Sequence, residues 1–303
     1  MGASTAVTAS GSRAATGTAA PPCAMCLLDS SASGALSMTM SSGGISVTGG
    51  KLVVDSTSAT AASIVGSGTV TTSGSNLVAG GYQVVDAGGF TPTPITGSVA
   101  LSDPLSTLPA PSVSGTASSV NLVVTSGTIN PGIYSSISAT GAGITLTMNP
   151  GIDVITGSFS VTGGVSVTGN GVLLCFGCSS YPTACTPGQS GGSLSLTGTG
   201  TFSLTAPTAS TCSSIPATCA SKGMLVYYDR NDAATMSITG TGTGPGGTIY
   251  GRSAWLTLTT SGGGTVSSSI IVDKVTFTGS GTLTVSYQSS QNYNVASGGN
   301  PVR

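Results

Sequence analysis

The chain has 303 residues, 7 Lys+Arg against 8 Asp+Glu, no His, a formal net charge of -1 and only 5% charged residues, where an ordinary globular domain carries about 25%. So few cations cannot build the clustered basic footprint that nucleic acid requires, and since every acid is Asp the chain lacks Glu, a strong helix former. Gly 47 and Pro 15 stay below the share that marks low complexity, and a mean hydropathy of +0.37 predicts a chain that folds around a large core.

In chain order, residues 1–22 read as a polar tail or the remnant of a preceding domain, without the apolar stretch of a signal peptide. No run of 18 apolar residues occurs anywhere, so no membrane span is expected. From about Ala32 short alternations of apolar and polar residues recur between glycine-rich turns: Ile45-Ser-Val47, Ile144-Thr-Leu-Thr-Met148, Phe159-Ser-Val161, Leu194-Ser-Leu196, Leu256-Thr-Leu258, Val275-Thr-Phe277 and Leu283-Thr-Val285. Period two over three to five residues predicts half-buried strands. Residues 23–86 form a first group of such strands and residues 120–288 a longer second one. Between them, residues 87–119 carry Pro92, Pro94, Pro104, Pro109 and Pro111. Proline cannot donate to a central ladder, so this stretch reads as an excursion or a hinge. Residues 289–303 are a polar tail.

The expected fold class is therefore all-β: a parallel β-helix or β-solenoid of short Ser/Thr/Gly-rich coils, with a β-sandwich as the alternative. The recurring phrase Thr-Gly-x-Gly and the brevity of the strands favour the solenoid.

Seven cysteines fall in three clusters. Cys178 and Cys185 bracket one turn-rich loop and Cys212 and Cys219 another, so both pairs are expected as loop-closing disulfides, which form in an oxidising compartment. Cys23 and Cys26 are a third, less determined pair, and Cys175 reads as a core thiol. Zinc would need an all-thiolate site drawn from distant clusters, and no cofactor is expected.

Chemistry has few candidates. Without His, serine hydrolysis would need Lys51, Lys222 or Lys274 as base, and only Ser221-Lys222 are neighbours. Asp229, Asn231 and Asp232 are the one close oxygen cluster, a weak calcium or carboxylate-pair candidate that reads first as a capped turn. Thr197, Thr199 and Thr201, then Thr239, Thr241 and Thr243, are candidate ranks for binding ice, although their intervening glycines suggest turns. Trp255, with Tyr250 upstream, could stack on a glycan, while a lone Trp in a strand more often packs inward.

The phrases Asn130-Pro-Gly-Ile-Tyr134, Met148-Asn-Pro-Gly-Ile-Asp153, Thr168-Gly-Asn-Gly-Val172, Tyr227-Tyr-Asp-Arg-Asn231 and Gly247-Thr-Ile-Tyr250 resemble the C-terminal region of bacterial TadE/TadG-like proteins associated with Tad (Flp-type) pilus assembly. The resemblance spans about residues 23–287. It implies a non-enzymatic structural or adhesion role at the cell surface, an anchor and pilin-like segment ahead of residue 23, and self-association or envelope and pilus components as partners. Ice or glycan binding, and then a polysaccharide-acting enzyme, stand as alternatives.

Overall fold

The computed structural model describes residues 18–19, 22–198, 200–240 and 242–296. They are almost all β, with one short helix, Ala209–Ser214, and one 3-10 turn, Pro216–Ser221. Among the described residues every strand pairing is parallel except Thr18–Ala19 with Val295–Ala296. Parallel ladders exclude the β-sandwich alternative, which is built from antiparallel strands.

The strands lie in three rows, and the chain visits the rows in turn. In the second row Ser118–Leu122 pairs with residues 134–139, whose strand runs on to residue 142, then come residues 158–163, Ser193–Gly198, Thr235–Thr239, residues 255–260 and residues 274–279. The next neighbour is Leu36–Met40, followed by Ala62–Gly66 and Tyr82–Val85. The first and third rows repeat this order, with Met25–Leu27 beside residues 270–272 and Gly44–Thr48 beside Thr282–Ser286. The N-terminal circuits therefore stack on the last C-terminal one, and the two free ends of the stack are the circuit around residues 118–134 and the circuit around residues 82–96.

Alternation decides what fills the interior. Ile137, Phe159, Leu194, Met236, Leu256, Val275 and Leu36 form one inward column of the second row, all buried, and they join a continuous core running the length of the stack. The recurring Thr-Gly phrase marks the corner after this row. Gly163 (φ 82°) and Gly198 (φ 145°) take conformations disfavoured for L side chains. A Cβ on Gly198 would also sit 1.8 Å from the Gly163 carbonyl oxygen of the circuit beneath.

The first row is buried on both sides, as in Val172–Phe176 and Met224–Tyr228. Its outer side carries a second apolar cluster that includes Ile152, Val154, Leu173, Cys175, Tyr227 and Tyr250. What covers it is the proline-rich stretch. Strand pairing continues past residue 86, through Gly89–Thr91 and Ile95–Thr96, so the segment off the ladder is residues 97–117. The amide of Leu101 donates to Asp55 Oδ1 (2.8 Å), Arg230 donates to the carbonyls of Leu105 and Leu108, and Val113 N donates to Tyr181 Oη (2.7 Å). These partners follow the stack from one end towards the other, so residues 97–117 are a strap laid along the first row.

Candidate functional site

The outward columns of the second row form a regular surface. One runs Thr140, Thr162, Thr197, Thr239, Thr259, Thr278, Thr39, in register on seven adjacent strands. Two residues earlier on the same strands stand Ser138, Ser160, Ser195, Ser237, Thr257, Thr276 and Ser37. Within these columns the register is unbroken. Strands about 4.8 Å apart and same-face residues about 6.7 Å apart make a grid of hydroxyls and methyls roughly 29 Å long, counting six strand intervals. Neither column contains a charged residue.

Local sequence explains the grid. Each of these second-row stretches carries the pattern Ser/Thr-apolar-Thr, as in Ser160-Val-Thr162 and Ser195-Leu-Thr197, with the apolar residue inward. The hydroxyls pair with one another across the strands. Thr162 Oγ1 donates to Thr140 Oγ1 at 3.0 Å, and the Thr259 and Thr278 hydroxyls are also 3.0 Å apart. Thr140, Thr197, Thr259 and Thr39 are exposed, and the other three half-buried.

This corrects the expected ranks. Thr197 and Thr239 share one column, but they are neighbours across strands and not members of triplets along a strand. Thr201 lies beyond the corner, beside Ser166, to which its hydroxyl is 3.1 Å. Thr243 lies in the third row, opposite Thr265. Thr199 and Thr241 fall outside the described residues.

Trp255 stands at the margin of the same row with its side chain outward, 41% exposed. Its Nε1 donates to Thr276 Oγ1 (3.1 Å), and Lys274 Nζ lies 5.4 Å from the ring centroid, a cation–π contact. Tyr250 does not accompany it. That side chain is buried under the strap, where its hydroxyl donates to Asp103 Oδ2 at 2.7 Å.

The oxygen cluster closes on the backbone. Asp229 Oδ1 accepts from Asn231 N (2.9 Å), Asp232 Oδ1 accepts from Gly191 N (2.7 Å) and Ala234 N (2.9 Å), and Asn231 Nδ2 donates to the Cys185 carbonyl (2.8 Å). Burial raises the Asp232 carboxyl to about 6. Among the described residues no three of His, Cys, Asp and Glu come together as a metal site. Arg230 reaches Asp103 at 3.9 Å as well as the strap carbonyls, so its partners belong to the strap and not to the turn itself.

Cys23–Cys26, Cys178–Cys185 and Cys212–Cys219 are disulfide-bonded. Cys175 is free and buried against the strap, its thiol raised to about 12 by burial. Among the described residues no helix is long and apolar enough to cross a membrane. Comparison with known proteins returns no matching family model, no matching curated protein and no matching solved structure.

Proposed function

We propose that this chain is an extracellular β-solenoid that binds ice through its second row. The observation that carries the reading is the seven-threonine column with a Ser/Thr column beside it. A grid of hydroxyls at about 4.8 by 6.7 Å can hold surface waters at lattice-like spacings, with the threonine methyls seated between them. Charged side chains would orient water around themselves, and the two columns lack them. Three disulfides fit an oxidising compartment outside the cell.

The test is the shape and growth of ice crystals in a solution of the protein. The wild type should facet crystals and hold them below the melting point. Thr197→Lys and Thr239→Lys, at the middle of the column, should each remove most of that activity, while Thr284→Lys on the third row should retain it. Equal activity of all four proteins would sink the proposal.

A second reading, structural or adhesive display at the bacterial surface, rests on the phrases that resemble TadE/TadG-like proteins, and outward Trp255 gives it a candidate glycan contact. Localisation to the cell surface together with unaltered ice crystals would favour it. A polysaccharide-acting enzyme has less support, because the Asp229 and Asp232 carboxylates are engaged by backbone amides.

A further inference from the structure

The large apolar side chains that are exposed among the described residues gather at the ends of the stack. Val65, Tyr82, Val85 and Ile95 belong to the last two circuits, with Val99 just beyond; Val123 and Val124 follow the first strand of the opposite end. Trp255 alone lies elsewhere. In the second row, Tyr82–Val85 pairs only with Ala62–Gly66, and Ser118–Leu122 only with residues 134–139. Each of these strands leaves one edge of backbone donors and acceptors without a strand beside it. Edges of this kind are usually guarded by charge, yet no charged residue occurs between Asp103 and Asp153, and at the other end Asp86 is the one charge between Asp55 and Asp103.

We infer that the two ends are complementary and that the partner of each is the other end of a second copy of this chain. Both pieces of the chain wind in the same direction along the stack, so the last circuit of one copy presents the polarity that the first circuit of the next requires. The molecule already contains such a join. Residues 275–279 and Leu36–Met40, from opposite parts of the chain, pair in register through five residues. Following the columns, Tyr82 comes beside Val120, Gln83 beside Asn121, Val84 beside Leu122 and Val85 beside Val123. Inward apolar residues then meet inward apolar residues, and two outward amides meet as a hydrogen-bonding pair. The contact is head-to-tail and does not close, so it yields linear chains. This inference depends on the strand order and is independent of ice binding.

The experiment is sedimentation velocity with electron microscopy on the full chain up to its solubility limit, using Val85→Lys and Val123→Lys. Both sites are exposed, and a thermal melt confirms that each variant folds. The wild type should form linear chains that grow with concentration, and each variant alone should lose them. Mixing the two variants should restore dimers only, since each blocks a different end. A wild type that stays monomeric, a variant that still assembles alone, or a mixture that stays monomeric overturns the inference.

Discussion

Asp153 is the residue whose place the sequence pattern explains least. It sits in an inward column of the first row, beside Leu174 and one strand from Val226, is fully buried, and neither carboxylate oxygen has a hydrogen-bond partner. Burial raises its carboxyl to about 8, because a charge in an apolar interior costs far more than the neutral acid. In the unfolded chain it ionises near 3.8, so between that value and about 8 the folded protein holds a proton that the unfolded one has released. Stability from this group is therefore present at acid pH and falls as pH rises through that window. Asp55, Asp232 and Asp273 are raised by burial in the same sense. The melting temperature should accordingly fall from pH 4 to pH 8. Asp153→Asn should flatten much of that slope, stabilising the fold at pH 8 by about 2 to 5 kcal/mol and changing little at pH 4. Calorimetric melts at both values check this, and a variant as pH-sensitive as the wild type would refute it.

At the scale of elements the strap is the test case, since it carries three prolines and makes no ladder. Its backbone is held by side chains instead, above all by Arg230 with the carbonyls of Leu105 and Leu108 and with Asp103. Removing that guanidinium takes the counter-charge from Asp103, which keeps the Tyr250 hydroxyl, and takes the side-chain donor from two strap carbonyls. Arg230→Ala should cost about 2 to 3 kcal/mol and speed hydrogen exchange at residues 101–113, while amides of the strand Thr248–Thr260 stay protected. Uniform loss of protection would instead mean that the strap and the rows open together. The same elements show what the sequence could say. Period-two alternation marked Phe159-Ser-Val161 and Leu256-Thr-Leu258 as strands because inward and outward faces differ in polarity. Parallel pairing partners were not legible, since the inserts at residues 177–192 and 206–223 break the spacing between strands that stack directly. The Thr column was hidden for a related reason: Thr197 and Thr239 align only once the circuit between them is closed, whereas Thr-Gly-Thr-Gly in the text suggests a turn. The corner glycine that argued against a binding face directly follows the column threonine at Thr140, Thr162, Thr197, Thr239 and Thr278, where the chain turns out of the row.

On the scale of the whole molecule, the order of circuits separates position in the chain from position in the stack. A sequentially wound stack of parallel circuits has contacts only between neighbours in sequence, and its end circuits can fray independently. Here the N-terminal circuits stack on Ile270–Gly279 and Thr282–Ser286, so both ends of the winding meet in the interior of the stack. The strap must then return the chain from the circuit at residues 82–96 to the circuit at residues 118–134. This arrangement implies that the strap connects two pieces already held by parallel ladders and by a shared core. Thr18–Ala19 and Val295–Ala296 are paired strands, so a short glycine-serine linker can join residue 296 to residue 18. A permuted chain that starts at Thr116, runs through this linker and ends at Gly115 would be wound in a single sequence from one end of the stack to the other. It should fold with the same circular dichroism spectrum and keep any ice-shaping activity of the second row, because every ladder is preserved. It should also melt in one transition, with a modest loss of stability where the strap's connection is cut. Two separated transitions would show that continuity of the strap, and not the ladders between residues 275–279 and Leu36–Met40, unites the halves.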